Sequence, residues 1–186
     1  MLIQAYPSSN TKFRFELSND IGAEEVIYFI GLNPSTADSN SFDPTSRSCH
    51  KLTSLWGIDA WAILNLYPQR AVFPKALNRR VNRKLFDENT AFVRQKLVKK
   101  NLKNKVVLSW GNAVFTRAYL KRAAVLFIDE LVENQIDCFH MGLTANNQPI
   151  HPSPQAILKK YRSYSNVVFK SFQKEDLIQL KASLLV

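Results

Sequence analysis

Three short apolar runs, separated by amphipathic segments, limit the folds that this chain of 186 residues can adopt. The runs occupy residues 25–32, 60–66 and 105–111 and are rich in β-branched and aromatic side chains. Runs of this length without polar alternation are typical of strands that are covered on both faces. Because helical patterns lie between the runs, the sequence predicts a parallel sheet with helices on both sides.

The remaining patterns complete a predicted α/β fold. Residues 136–141 form a fourth apolar run, and residues 12–17 alternate as in a half-buried strand. Helical spacing is found in four segments, residues 46–57, 83–101, 112–124 and 174–185. Gly57 is suited to end the first of these helices and Asn112 to cap the third. We predict a single domain over residues 1–186, a three-layer sandwich with a central, mainly parallel four-stranded sheet flanked by helices.

The charge balance favours an anionic partner. Twenty-five Lys and Arg residues against fifteen Asp and Glu residues give a net charge of +10, and such a field attracts polyanions, above all nucleic acid. Residues 69–84, called the basic segment below, contain no acid and six cations: Arg70, Lys75, Arg79, Arg80, Arg83 and Lys84. We expect this segment to lie along a phosphate backbone, the alternative being a solvated surface that only favours solubility.

The sequence shows no feature of secreted or membrane proteins. No segment approaches the ~20 apolar residues of a membrane span, and the first ten residues lack the pattern of a secretory signal. Cys49 and Cys138 form no CxxC pair, which predicts two reduced thiols. Cys49, His50, His140 and His151 share no metal-ligand spacing, so we predict no metal and no other cofactor. We expect a cytoplasmic protein without a membrane partner.

Polar residues stand at the ends of the predicted strands. Asn33 follows the first run, Asn65 lies near the end of the second, and Trp110 and Gly111 end the third. The tetrapeptide HPSP, residues 151–154, lies downstream of the fourth. Ligands of open α/β sheets bind beyond the carboxyl ends of the strands. We therefore predict that these residues meet at one site.

These motifs, in this order, resemble those of the uracil-DNA glycosylase superfamily. GLNP (residues 31–34) is similar to the water-activating motif of the mismatch-specific branch, and AILNLYPQRA (residues 62–71) to the strand whose terminal Asn reads the base edge. KVVLSWGNAV (residues 105–114) is similar to a third strand of that superfamily, and HPSP to its uracil-specific loop. The longer signature LNPSTAD...DPTSR, followed by GLTANNQPIHP, also resembles a family of bacterial and phage proteins of unknown function.

The resemblance implies a base-excising N-glycosylase and a role for each residue. Asn33 would hold the attacking water, and His151, as a neutral imidazole, would donate to a carbonyl oxygen of the leaving base. Asn65 offers a donor and an acceptor to a pyrimidine edge, and Phe42 would stack on the extruded base. Four residues are assigned to phosphate binding, Ser35, Thr36, Ser153 and Arg70.

Each of these residues also has a purely structural explanation. Asn33 can cap the turn that Pro34 enforces, Asn65 can bond the local backbone, and His151 can be an exposed loop residue. Phe42 can belong to the core. Four further residues are interpreted as a salt-bridged brace of the loop, Asp38, Asp43, Thr45 and Arg47.

Two departures from the superfamily pattern refine the expected substrate. Gln155 stands where the uracil-specific enzymes have an apolar wedge, which favours single-stranded DNA or a weakened duplex and leaves RNA open. Asn33 stands where those enzymes have Asp, and an amide is a poorer base, which implies a slow enzyme or a labile bond. The alternatives to a DNA glycosylase are a non-catalytic nucleic-acid-binding module and a hydrolase or transferase acting on free nucleosides or nucleotides.

Overall fold

One mixed sheet organises the protein. The computed structural model describes residues 3–8, 10, 12–19, 22–39, 41–98 and 104–185. Within these ranges seven strands are found: β1 (Gln4–Tyr6), β2 (Glu16–Ser18), β3 (Ile27–Gly31), β4 (Trp61–Asn65), β5 (Lys105–Leu108), β6 (Cys138–His140) and β7 (Lys170–Ser171). They are arranged in the order β1-β2-β4-β3-β5-β6-β7.

The centre of the sheet is parallel and its edges are antiparallel. Strands β4, β3, β5 and β6 pair in parallel, whereas β1 and β2 are added antiparallel at one edge and β7 at the other. The predicted α/β class and the four parallel strands are confirmed. The sequence did not reveal β1 and β7, because strands of three and two residues are too short to show a period.

The strand predicted over residues 12–17 is placed too early. Pairing of β2 with β4 runs only from Glu16 to Ser18, and Phe13 makes an isolated bridge to Gln69. The residues before Glu16 do not extend the strand, although their backbone groups still pair. The Arg14 N–H donates to the Pro68 carbonyl oxygen at 2.9 Å and the Arg70 N–H to that of Lys12 at 2.9 Å.

Five α-helices connect and cover the strands in the described part of the chain. They are α1 (Pro44–Leu55), α2 (Arg83–Leu97), α3 (Ala118–Glu133), α4 (Pro154–Tyr161) and α5 (Lys174–Leu185). The side chain of Asp43 caps α1 by accepting from the Ser46 backbone N–H, and Asn82 caps α2 by accepting from the Leu85 N–H. Gly57, with φ of +75°, follows α1 as expected of a helix stop.

Strand alternation produces two cores on opposite faces of the sheet. Tyr28 and Ile30 of β3 point to the face that is covered by α2, α3 and α5. Ile27 and Phe29 point to the other face, where Leu52 of α1 and Ile157 of α4 pack. Helices therefore lie on both sides of the sheet, as the sequence predicts.

The helix predicted over residues 112–124 is wrong at its start. Residues Asn112–Thr116 form a 3-10 helix, and the α-helix begins only at Ala118. Asn112 is not an N-cap, because its Oδ1 instead accepts a hydrogen bond from the Thr144 hydroxyl at 2.6 Å. The 3-10 turn separates the strand end from α3. The helix predicted over residues 83–101 is found as α2 to Leu97, and Lys99 and Lys100 lie outside the described residues.

Both cysteines are free, as predicted, and both are buried. Burial raises the pKa of Cys49 well above its usual range and that of Cys138 to about 12, so neither thiol is poised to react. None of the helices in the described ranges is long and apolar enough to cross a membrane.

Candidate active site

The carboxyl ends of the central strands open into one cavity. Gly31 of β3 lies opposite Asn65 of β4, and Ile30 lies opposite Leu108 of β5, so the three strands end at the same edge. The cavity at this edge has a volume of about 430 Å³, within the range of small-molecule pockets. We call it the strand-end cavity. Its position agrees with the general rule for open α/β sheets.

Three residues from distant parts of the chain meet at the strand-end cavity. Asn33, Asn65 and His151 all line it. Ser109, Trp110 and Gly111, which follow β5, also contribute to its wall. The strand-end residues that the sequence singles out are thus brought together.

Asn65 presents an unused donor to the cavity. Its side chain is buried, and Nδ2 has no hydrogen-bond partner among the described residues. Its Oδ1 lies 3.0 Å from the position that a Cβ on Gly31 would occupy, so a residue without a side chain at position 31 permits this approach. A buried donor without a partner costs about 1–3 kcal/mol, which a ligand acceptor would recover.

Asn33 joins two loops through its amide. Its Nδ2 donates to the carbonyl oxygens of Pro34 at 2.9 Å and Ala71 at 2.8 Å. Because both bonds require a donor, the orientation of the amide is defined, and Oδ1 is the atom left to accept from a water or ligand. Asn33 therefore holds the turn through its amide and also lines the cavity.

His151 is held as a neutral imidazole. Burial lowers its pKa to about 4, and the Asp43 carboxylate opposes the shift by raising the pKa. Its Nδ1 accepts a hydrogen bond from the Ser153 backbone N–H at 3.2 Å. Since Nδ1 is an acceptor, the proton of the neutral ring is on Nε2. Around pH 7 the residue is a hydrogen-bond donor without a charge.

Arg14 and Asp43 add two buried charged side chains to the cavity wall, a position that the sequence did not reveal for either. Both residues are largely buried and line the cavity. The guanidinium of Arg14 donates to the Ala37 carbonyl oxygen through Nη1, whereas its buried Nε has no partner among the described residues. Burial and the nearby Arg70 lower the pKa of Arg14 to about 10, whereas Asp43 and Asp38 raise it. Arg14 therefore remains a cation.

Asp43 caps helix α1 and also lines the cavity. Its Oδ1 accepts from the Ser46 N–H at 2.7 Å and from the Ser46 hydroxyl at 2.9 Å, which confirms that it braces the loop. The same carboxylate lines the cavity that contains Asn33 and His151. An Asp before a Pro at a helix start signals an N-cap in the sequence, but only the tertiary structure brings it to the cavity.

The rest of the predicted brace is local. Asp38 accepts from the Ser41 backbone N–H at 3.0 Å. Thr45 lines the cavity. Arg47 is exposed and forms no ion pair with a described residue, so the salt bridge expected there is not found.

The four residues assigned to phosphate are divided by the structure. Ser35 and Ser153 line the cavity, and the Ser153 hydroxyl also caps α4 by accepting from the Ala156 N–H at 3.4 Å. Thr36 is exposed and Arg70 half-buried, and neither belongs to the lining. Arg70 donates through Nη2 to the carbonyl oxygens of Thr36 at 2.9 Å and Ala37 at 3.1 Å, so its position braces the loop that follows β3.

Phe42 is not brought to the cavity. Its ring lies 6.0 Å from that of Trp61 and 6.2 Å from that of His50, and it packs against the core beneath α1. Phe73, which follows Val72 in the basic segment, does line the cavity, and both are strongly exposed, unlike the buried Phe29 and Trp110 of the same lining. Val72 and Phe73 are two large apolar residues within a segment rich in cations, and this is the sequence signal by which Phe73 could have been identified.

The fold is that of an α/β protein with a cavity at the carboxyl edge of its parallel strands. Residues 14–153 match the protein family of unknown function DUF1643, and the chain belongs to this family. The matched stretch begins at Arg14 and ends at Ser153, both of which line the cavity. The resemblance to a family of unknown function is thereby confirmed. A comparison with curated proteins gives no match.

Proposed function

We propose that the protein is an N-glycosylase that receives a pyrimidine-type base of DNA in the strand-end cavity and cleaves its bond to the sugar. The observation that carries this proposal is the convergence of Asn33, Asn65 and His151 on one cavity. These three residues occupy the motifs through which the sequence resembles the uracil-DNA glycosylase superfamily. The fold proposed with this function is the three-layer sandwich of that superfamily.

The donors of the cavity favour a base with carbonyl oxygens. Asn65 has a free Nδ2, Arg14 a free Nε, and neutral His151 carries its proton on Nε2. Two or three donors in one buried site are best satisfied by a ligand with several acceptors. Uracil, thymine and their modified forms present two ring carbonyls, whereas amino-substituted bases would place a donor against a donor.

The reaction needs an oriented water and a stabilised leaving base. In the proposed mechanism Asn33 Oδ1 orients a water toward the sugar carbon that bears the base. As the bond between that carbon and the base nitrogen breaks, its electron pair leaves with the base. The water oxygen forms the new bond to the sugar, and Asp43 accepts the proton that the water loses.

Charges in the cavity match those that develop in this reaction. The carboxylate of Asp43 stabilises the positive charge on the sugar, a role that the amide of Asn33 cannot fill. His151 donates to a carbonyl oxygen of the departing base, on which negative charge accumulates. An uncharged donor suits this role because it avoids burying a second cation near Arg14.

The proposal is tested by measuring bases released from oligonucleotides. Single-stranded and duplex substrates carry uracil, mispaired thymine or a bulky modified pyrimidine, and mass spectrometry detects the free base. We expect release by the natural protein and loss of release in His151→Ala. His140→Ala is the matched control, because His140 contacts Phe172 and does not line the cavity. Intact strands across the whole panel would refute the proposal.

Two further measurements separate the alternatives: binding of the oligonucleotides at different salt concentrations, and base release from free nucleosides or nucleotides. A non-catalytic module binds oligonucleotides with a strong dependence on salt but releases no base. A hydrolase or transferase of small molecules releases bases from free nucleosides or nucleotides and is insensitive to removal of the cations in the basic segment.

A further inference from the structure

We infer that Phe73, at the mouth of the strand-end cavity, stacks on a base of single-stranded DNA whose backbone runs along the basic segment. The inference rests on the proposed function for the identity of the strand. It deepens that function by naming the residue and the surface that hold the strand beside the base to be excised.

The exposure of Phe73 is the first observation. Its side chain is 71% exposed and that of the adjacent Val72 59% exposed, yet both line the cavity. Phe73 takes part in none of the ring contacts found among the described aromatic residues. A large apolar pair left in water beside a cavity is typical of a binding surface.

The backbone that carries Phe73 is fixed in place. The guanidinium of Arg117 donates to the carbonyl oxygen of Lys75 at 2.8 Å and to that of Leu77 at 2.7 Å. The hydroxyl of Tyr119 donates to the carbonyl oxygen of Asn78 at 2.9 Å. The segment is thus attached to the start of α3, and its side chains project from a defined backbone. A platform that is already ordered loses little entropy when it binds.

Most charges of the basic segment that carries Phe73 are available to a partner. Four cations of the basic segment are exposed and form no ion pair with a described residue, Lys75, Arg79, Arg80 and Arg83. Lys84 is 4.0 Å from Glu88 in the next turn of α2, and both side chains are well exposed. A positive path beside an exposed aromatic ring fits a ligand that has phosphates and unstacked bases together.

The same surface favours a single strand over a duplex. Entry of a base from an intact duplex leaves a gap that an apolar wedge must fill, at a cost of a few kcal/mol for unstacking. Gln155, which also lines the cavity, is polar and exposed and fills such a gap poorly. The ring of Phe73 is 71% exposed and makes no ring contact with a described residue, which suits stacking on a base that is already unpaired.

Binding of fluorescent oligonucleotides by the full chain tests the inference. The natural protein, Phe73→Ala, Phe73→Trp and Phe115→Ala are compared on single-stranded DNA, single-stranded RNA and duplex DNA of the same sequence. Phe115 is a matched control, since it is also exposed but does not line the cavity. We expect Phe73→Ala to weaken single-stranded DNA binding about tenfold or more, Phe73→Trp to retain it, and Phe115→Ala to leave it nearly unchanged.

Several results would overturn the inference. These are no binding of single-stranded DNA by the natural protein, equal affinity of Phe73→Ala and the natural protein, and tighter binding of the duplex or of RNA. Because binding is measured without turnover, the two proposals fail separately. Base release with an unaffected Phe73→Ala variant rejects only the role of Phe73, whereas weakened binding without base release from any substrate rejects only the glycosylase.

Discussion

The interior of the strand-end cavity and the basic segment at its mouth differ in how their side chains are held. In the interior, Asp43 and His151 are held by hydrogen bonds from neighbouring backbone N–H groups. In the basic segment the backbone is held by Arg117, whereas Phe73 and the cations from Lys75 onward extend into solvent. Chemistry requires side chains with fixed orientation, and strand binding requires side chains that a partner can reach. The comparison implies that changes inside the cavity affect rate and changes in the segment affect affinity.

The largest effect is expected from Asp43→Asn. Asn caps a helix about as well as Asp, so α1 keeps its start while the cavity loses a negative charge. We expect the rate of base release to fall about 10²–10⁴-fold, as for loss of a general base, with little change in the affinity for the oligonucleotide. Single-turnover kinetics and a binding titration measure the two quantities.

Asp38→Asn is the matched control for this change, because Asp38 braces the same loop through Ser41 and does not line the cavity. Asp43→Ala, in contrast, removes both charge and cap and should also lower the free energy of unfolding by about 1 kcal/mol. If Asp43→Asn released bases at the natural rate, Asp43 would be only a helix cap.

A somewhat smaller effect is expected from His151→Ala. The change removes the uncharged donor and should lower the rate about 10²–10³-fold, the usual consequence of losing one donor to a developing negative charge. The affinity for the substrate should change little, which sharpens the contrast with the basic segment. If the variant bound the substrate more weakly but kept the natural rate, His151 would be assigned to binding and not to catalysis.

Removal of cations from the basic segment should affect affinity alone. In Lys75→Gln/Arg79→Gln/Arg80→Gln we expect weaker binding of single-stranded DNA and a salt dependence whose slope is smaller by roughly 2, since each phosphate contact contributes about 0.7. The triple variant Lys159→Gln/Lys170→Gln/Lys174→Gln removes the same charge from other exposed positions. Equal slopes for the two variants would show that net charge, and not the segment, attracts the strand.

The smallest effect concerns stability at acid pH. The pKa of His151 is about 4 in the folded protein and 6.5 in the unfolded chain, so the unfolded chain binds more protons between these values. The free energy of unfolding should therefore fall as the pH drops from 6.5 to 4, by roughly 2–3 kcal/mol from this residue. Urea denaturation of the natural protein and His151→Gln at pH 7 and 4.5 measures it. A parallel loss in both proteins would show that His151 does not contribute.

Local patterns predicted those parts of the fold that depend on neighbouring residues. The apolar runs found β3, β4 and β5 because a strand buried on both faces needs apolar side chains at every position. The helix α1 was recognised from its spacing and from Gly57. The patterns failed at the 3-10 helix Asn112–Thr116, where a side-chain bond from Thr144, 32 residues away in sequence, replaces the expected cap.

The sequence likewise predicted only some of the residues that line the cavity. Strand ends in a parallel sheet must meet at one edge, so the positions of Asn33 and Asn65 followed from the strands alone. Arg14 was not recognised, because its position depends on an antiparallel edge strand that the alternation placed too early. The structure does not bring Phe42 to the cavity, and its inward packing was not predicted because nothing local tells which aromatic rings pack inward.

The sequence by itself determined the class of fold, the two-sided burial of the sheet, the excess of positive charge and the polar residues at the strand ends. These follow from periodicity and composition, which act over a few residues at a time. Tertiary structure alone decided that Asp43 faces the same cavity as His151 and that Phe73 remains in solvent beside it. Such outcomes depend on packing between segments that are far apart in the chain. The burial of a side chain and the pairing of its donors are decided by spatial neighbours that a local sequence pattern does not identify.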